Sequence, residues 1–164
     1  MPNIDNPLEA RARAIEAGKP IDELVKTYKE NTPLVLPLWD ETKRSIEFNN
    51  INSSIVEAGI DIYTAPFTDL WNGIYQPDIY DKETLWECVH DERKIAKVIK
   101  AWSCRIPLSP IFLVKHGLCS KGVVADGKHR LTVARYMGCE SIPFMVSSSS
   151  SDWLEIAIPS AKKL

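Results

Sequence analysis

The chain has 164 residues, of which 26% are charged and 45% hydrophobic, and its formal net charge is -2 at pH 7. This length is enough for one domain with a core of ordinary size, and the composition excludes a disordered or fibrous chain. The net charge excludes an overall attraction to nucleic acid or to an anionic membrane, although it leaves room for a local basic patch. No apolar run has the length of a membrane span and the first residues lack a signal-peptide core, so we expect a cytoplasmic protein.

Two short helices are predicted at the N-terminus. The segment NPLE at 6–9 has the form of a capping box, which predicts a helix over 7–17 that ends at Gly18 and Pro20. Apolar residues at helical spacing predict a second helix over 21–30.

Helical periodicity returns only after residue 80, because prolines interrupt the short apolar pieces of 33–80 and leave the order of elements there undetermined. Asp81 is a candidate cap for a helix carrying Leu85, Trp86 and Val89. Asp91 can cap a further helix, in which apolar residues recur at i, i+3, i+4 and i+7 and predict a buried stripe: Ile95, Val98, Ile99 and Trp102.

Three short apolar runs of strand length follow, at 111–114, 122–125 and 142–146. Between the second and the third, the pattern predicts a loop and then a helix that ends at Gly138. The predicted apolar face of this helix comprises Leu131, Val133, Ala134 and Met137, and its outward face comprises Arg130, Thr132 and Arg135.

The last residues are predicted to be a linker and a docking tail. The five serines of 147–151 have the composition of a flexible linker, and the apolar side chains of 152–156 favour a short element that packs onto the domain. The predicted organisation is a helical arm over 1–32, a domain over 33–146 and a tail over 147–164.

The loop from Asp126 to Arg130 combines several groups that suit an anion. The first turn of a helix has unpaired N–H groups and a positive dipole end, and a glycine such as Gly127 permits both a close approach and a positive φ. Lys128, His129 and Arg130 add side-chain donors, while Asp126 is placed to hold a divalent cation or to accept a proton. An ordinary Asp-Gly turn with solvated charges is the alternative for the same residues.

The stretch from Ile111 to Val146, with IFLV, VVADGKHRLTVARYMG and IPFMV in that order, resembles the ParB/sulfiredoxin (ParB-like nuclease) superfamily. The resemblance implies a compact α/β domain with a small mixed sheet. It also implies that Gly127, Lys128, His129 and Arg130, with Thr132 in the same turn, bind the phosphates of ATP or another nucleotide. Asp126 matches the acidic residue that precedes this loop in several branches.

Two branches of that superfamily are disfavoured by the residues of this chain. Sulfiredoxins carry a catalytic cysteine where Lys128 stands, and partition proteins carry a helix-turn-helix domain after the nucleotide domain, where this chain has about 18 residues. Free serine kinases and fertility-inhibition proteins of the Osa type remain.

Other constellations carry weaker signals. Cys88 and His90 with His116 and Cys119 could supply four zinc ligands, but their spacing fits no common site. A nucleophilic Cys104 or Cys119 is also disfavoured, and we expect the cysteines to be buried or bystander residues. A tryptophan could stack on a nucleotide base, but core positions are favoured for these residues. Glu47 and Asn50 are polar groups that could complete a site. For the basic cluster of Lys94, Lys97 and Lys100, a solvated face is favoured over a DNA contact.

Two functions are therefore expected as alternatives. The first is Mg²⁺-dependent hydrolysis or phosphoryl transfer from ATP or a related nucleotide, or a nuclease reaction, with Asp126 and His129 as catalytic groups and Asp126 as the metal ligand. The second is a non-catalytic interaction protein on the same fold, such as an inhibitor or immunity factor of a mobile element, with a protein partner. The sequence leaves open which of the two applies.

Overall fold

The computed structural model describes residues 7–42, 51–75, 85–86 and 91–164. Six helices and five strands lie in these ranges. In chain order they are α1 (Pro7–Glu30), α2 (Ser53–Ala58), β1 (Ile60–Pro66), α3 (Phe67–Gly73), α4 (Glu92–Ser103), β2 (Ile111–Lys115), β3 (Gly122–Asp126), α5 (Lys128–Tyr136), β4 (Ser141–Ser147), α6 (Leu154–Ala157) and β5 (Lys162–Lys163).

The strands form one mixed sheet in the order β3-β2-β4-β1-β5, which confirms the predicted α/β class. The β2–β4 pair is parallel, whereas β2–β3, β1–β4 and β1–β5 are antiparallel. A parallel pair needs a crossover connection, and here β3 and α5 provide it. The crossover brings the start of α5 to the end of β3, where the predicted loop lies.

The apolar runs of β2 and β4 reflect burial on both faces of the sheet. Ile111 and Leu113 of β2 pack in the main core with Phe144 of β4. Phe112 and Met145 point to the opposite face and pack in a smaller cluster with β1. Because central strands are covered on both sides, they carry continuous apolar sequences and not alternating ones. The three predicted strands are confirmed.

Helices α4 and α5 pack together in a second apolar cluster. The predicted stripe of α4 is buried, and it contacts Val133 and Ala134 of α5. Asp91 is the N-cap of α4, where its side chain accepts from the backbone N–H groups of Arg93 and Lys94, as predicted. The indole N–H of Trp102 donates to the carbonyl of Leu38 over 2.7 Å.

The N-terminal segment is one helix, so the predicted break at Gly18 and Pro20 is wrong. A proline inside a helix costs about 3 kcal/mol relative to alanine, which is the basis of the predicted break. Packing against α4 opposes this cost, because Val25 is buried and the two helices are joined by ion pairs. The pairs are Arg93 Nε to Asp22 Oδ1 at 2.8 Å and Lys29 Nζ to Glu92 Oε1 at 2.7 Å.

The serine run is part of the folded sheet and its following turn. Ser147 ends β4, and the backbone N–H of Ser148 donates to the carbonyl of Gly59 over 3.0 Å. The predicted flexible linker is therefore wrong, because strand pairing and turn hydrogen bonds order these residues. The predicted docking of the tail is confirmed, since Trp153, Leu154 and Ile158 lie in the main core.

The helix predicted from Asp81 falls largely outside the described residues. Leu85 and Trp86, which are described, lie in a turn, and Leu85 is buried against α4 and α5. Within the described ranges, no helix combines the length and the apolar character needed to cross a membrane.

Candidate functional site

The candidate loop joins β3 to α5 through a left-handed glycine. Gly127 is the N-cap of α5, with φ 97° and ψ 19°, and as a glycine it brings no side chain to the cap. A Cβ at Gly127 would lie 2.8 Å from Ile111 Cγ2 and 2.7 Å from Arg130 Nη2. The backbone conformation and the close packing both require glycine here. The predicted succession of strand, loop and helix is confirmed.

Arg130 turns beneath the loop and not outward, so its predicted outward orientation is wrong. Its Nη2 lies 3.4 Å from Asp126 Oδ2 and 3.5 Å from the carbonyl oxygen of Pro110. The side chains of Arg130 and Asp126 are only 17% and 27% exposed. Burial lowers the pKa of Arg130, and the carboxylate of Asp126 opposes that effect. The two residues therefore form a largely buried ion pair that packs under the loop.

His129 connects the start of α5 to the start of α4. Its Nε2 accepts from the backbone N–H of Asp91 over 3.3 Å, and the imidazole is half-buried. Burial lowers the pKa of His129, the positive charge of Lys94 lowers it further, and Asp91 acts in the opposite direction. Smaller contributions from Lys128 and Arg130 also lower it. The neutral imidazole is thus the form that suits this position, with its proton on Nδ1.

The burial of His129 beside Lys94 makes the stability of the fold depend on pH. Because the pKa of His129 is lower in the folded chain than its ordinary value of about 6.5, the unfolded chain takes up the proton more readily. The resulting stabilisation is complete above about pH 6.5 and is lost as the pH falls through the lower pKa of the folded chain. We expect His129→Gln to flatten the decline in the free energy of unfolding between about pH 7 and about pH 5, measured by urea denaturation. An equal decline in both proteins would contradict this role.

Lys128 and Thr132 lie on the same side of α5 but differ in exposure. Lys128 is partly exposed at the first helical position. Thr132 is only 8% exposed, and its hydroxyl donates to the Lys128 carbonyl over 2.9 Å. The predicted outward orientation of Thr132 is wrong because the neighbouring elements cover this part of the helix. Arg135, at the other end of α5, lies 4.2 Å from the centre of the Trp71 ring and does not join the loop.

Of the other sequence candidates, four lie outside the described residues, and the His116 side chain makes local contacts. Glu47, Asn50, Cys88 and His90 lie outside the described residues. The Nδ1 atom of His116 accepts from the backbone N–H groups of Leu118 and Cys119 over 3.0 and 3.2 Å. Nowhere in the described ranges do three or more His, Cys, Asp or Glu side chains form a group that could hold a metal ion.

The three cysteines that the structure describes were expected to be buried or bystander residues, and they differ in exposure. Cys104 and Cys119 are exposed, whereas Cys139 is partly buried. Burial raises the pKa of the Cys139 thiol to about 11, which keeps it protonated and unreactive at neutral pH.

Two residues near the loop were not identified as site residues from the sequence. Asp91 is the N-cap of α4 and Lys94 lies in its first turn, and only the packing of α4 against α5 brings them to His129. The capping pattern at Asp91 predicts a helix start but not its neighbour. A residue of this kind can be found only from the tertiary contact.

No family model and no curated protein matches the chain. One solved structure is similar: the crystal structure, as a gold(I) cyanide derivative, of the Oncogenic Suppression Activity protein, a plasmid fertility inhibition factor. The two chains share 14% identity with a TM-score of 0.49, over 92% of this chain and 89% of that chain. This similarity is too distant to transfer an activity.

Proposed function

We propose that the loop from Asp126 to Arg130 binds the phosphates of ATP or another nucleotide, as the ParB/sulfiredoxin resemblance implies. The observation that carries the proposal is the meeting of two helix N-termini at His129. The Nε2 of His129 accepts from the Asp91 N–H at the start of α4, while His129 itself is in the first turn of α5. Two positive dipole ends and the ammonium groups of Lys94 and Lys128 therefore surround one position.

The two helix starts differ in how their N–H groups are capped. A helix N-terminus carries about half a positive charge, which favours an anion. At α4 the carboxylate of Asp91 already supplies that anion, by accepting from two N–H groups. At α5 the cap is Gly127, which brings no side chain. Because Gly127 has no side chain, a phosphate can approach the positive end of the α5 dipole closely.

Each side chain of the loop has a distinct part in the proposed complex. Lys128 supplies a positive charge at the first helical position. Arg130 keeps its charge although it is largely buried, and holds Asp126 at 3.4 Å. The lowered pKa of His129 keeps the imidazole neutral, so it would act as a hydrogen-bonding group or move a proton without adding repulsion among the cations.

Hydrolysis or phosphoryl transfer is the reaction class that we propose for this site, with cleavage of a phosphodiester as its nuclease form. In the described residues, Asp126 is not part of a group of three ligands that could hold a metal ion. Asp126 alone does not make a magnesium site that would hold the ion without a nucleotide. We propose that Mg²⁺ arrives with the triphosphate, because Mg²⁺ keeps several waters and is commonly bound through substrate phosphates and one or two carboxylates, of which Asp126 would be one.

Calorimetric titration with ATP, GTP and CTP in the presence of Mg²⁺ tests the proposal, with phosphate release as the measure of turnover. We expect Lys128→Ala to weaken binding of the preferred nucleotide at least about tenfold, because one charge-assisted contact contributes about 1.5–3 kcal/mol. Lys121→Ala is the matched control, since Lys121 is an exposed lysine next to the start of β3, at the opposite end of that strand from Asp126. Absence of binding for every nucleotide, or equal losses in the two variants, would contradict the proposal.

A non-catalytic interaction protein is the second candidate, and exposed leucines favour it. Leu34 and Leu36 are 87% and 75% exposed on the extended segment that follows α1. A partner protein could cover such side chains, whereas solvent leaves them hydrated. The same titration separates the candidates, because this one predicts neither nucleotide binding nor phosphate release.

A further inference from the structure

The positive charges of the chain are concentrated in one continuous segment. Residues 93–139 contain ten Lys and Arg residues against one acidic residue, Asp126, although the net charge of the whole chain is -2. Such an asymmetry within a chain is typical of proteins that contact a polyanion with one part of the surface.

Helix α4 displays much of this charge on one face. Its buried residues are apolar, and the residues between them, Arg93, Lys94, Lys97 and Lys100, are all exposed. We call these four residues the α4 basic face. Arg93 is paired with Asp22, but no ion pair in the described part of the chain engages Lys94, Lys97 or Lys100. At 1.5 Å per residue, these three lysines extend over about 9 Å of the helix.

We propose that the α4 basic face binds duplex DNA through its phosphates. The face offers ammonium and guanidinium donors, which pair with phosphate oxygens and release counterions from the duplex. This surface goes beyond the proposed nucleotide site, because it lies on the outside of α4 and shares only Lys94 with that site.

The chemistry of the face favours a duplex over other polyanions. A single strand is held largely by stacking on exposed aromatic rings, but the aromatic residue of α4, Trp102, is only 2% exposed. An anionic membrane is held by apolar residues that insert beside the lysines, and the apolar residues of α4 are buried in the core. RNA-selective proteins read the 2′-hydroxyl, whereas the contacts proposed here reach only phosphates, so a DNA duplex satisfies all of them.

The α4 basic face is adjacent to the loop from Asp126 to Arg130 at its Lys94 end. Lys94 lies close enough to His129 for its charge to act on the imidazole, and His129 contacts the first residue before α4. A duplex along the α4 basic face would therefore pass the start of α5. Binding to the duplex would be independent of base sequence, since phosphate contacts position a protein without reading bases.

Fluorescence anisotropy with a labelled 20-base-pair duplex of mixed sequence, over about 50–200 mM salt, tests this proposal. Each phosphate contact contributes about -0.9 to the slope of log K against log salt, so three lysines predict a slope of about -3. Lys97→Gln combined with Lys100→Gln should reduce the steepness by about two and lower the affinity at 50 mM salt about tenfold or more.

Lys115→Gln combined with Lys121→Gln is the matched control. It removes the same number of charges from exposed positions at the end of the β2–β3 hairpin opposite to Asp126, and we expect the slope to remain unchanged. Absence of duplex binding at 50 mM salt, equal losses in the two double variants, or tighter binding of a single strand or an RNA duplex would overturn the proposal. Nucleotide titration of the same α4 variant separates the two sites, because we expect its nucleotide affinity to be retained.

Discussion

Replacing Trp153 by alanine is expected to lower the free energy of unfolding by about 3–5 kcal/mol, the range for removing a large aromatic side chain from a core. Trp153 is 6% exposed and lies in the main core with residues of β2 and β4. Its ring covers Gly122 so closely that a Cβ there would lie 2.7 Å from Cη2 of the indole. Its Nε1 donates to the carbonyl of Ser150 over 2.8 Å, so the replacement also leaves that carbonyl without its donor. Urea denaturation measures the change, with unfolding monitored by far-UV circular dichroism because the variant lacks one of the tryptophans whose fluorescence would otherwise report it.

Ile156→Ala is the matched control for Trp153, because it removes an apolar side chain from α6, the short helix of which Trp153 is the N-cap. Ile156 is 73% exposed, and substitutions of such residues usually change the free energy of unfolding by less than about 0.5 kcal/mol. A small effect at Trp153, or similar effects at both positions, would mean that the tail contributes little to the domain.

Replacing Gly127 by alanine is expected to destabilise the fold by about 2–4 kcal/mol and to abolish nucleotide binding at the loop. The φ of 97° is unfavourable for any residue with a Cβ, which by itself costs about 1–2 kcal/mol. The new methyl group would also approach Ile111 Cα to 3.1 Å and Arg130 Nη2 to 2.7 Å. The Arg130 side chain can shift away from the methyl group, but the Cα of Ile111 is part of the backbone of β2 and cannot. The start of α5 must therefore move, and the proposed phosphate position moves with it.

Gly117→Ala is the matched control for Gly127. Apart from the neighbours of Gly117 in the chain, no atom of the described residues lies within 4 Å of a Cβ built there, and its φ is outside the left-handed region. Urea denaturation and nucleotide titration of both variants should show a loss only for Gly127→Ala. Unchanged stability of Gly127→Ala would contradict the strained geometry of the loop. Normal stability combined with normal nucleotide affinity would contradict the proposed site as well.

The ion pair of Arg130 and Asp126 gives the proposed site a different form from the one expected from sequence. The loop was expected to present both side chains to a ligand, whereas Arg130 Nη2 lies 3.4 Å from Asp126 Oδ2 beneath it. A nucleotide would therefore meet Lys128 and the helix N-terminus before it meets the buried pair. For this reason Lys128→Ala is the sharper test of binding, and a change at Arg130 would combine lost binding with lost support for the loop.

The sequence alone was enough to predict the helices and strands between Asp91 and Val146. Continuous apolar runs predicted β2 and β4 because both are buried on two faces, and Gly127 and Gly138 marked the two ends of α5. The cap at Asp91 and the apolar period of α4 were equally local signals. Local signals of this kind depend on backbone geometry and burial within about ten residues, and a single sequence contains them in full.

Only the tertiary structure decided which of these elements meet. Whether α1 continues through Pro20 depends on contacts with α4, about 70 residues away in the chain, and these contacts oppose the cost of an internal proline. Pairing of β4 with β1 and packing of Trp153 likewise order the serine run, whose composition is that of a linker. The same holds for the contact of His129 with Asp91. Interactions between residues distant in the chain leave no mark on local periodicity, so the convergence of the two helix N-termini could be seen only in the folded protein.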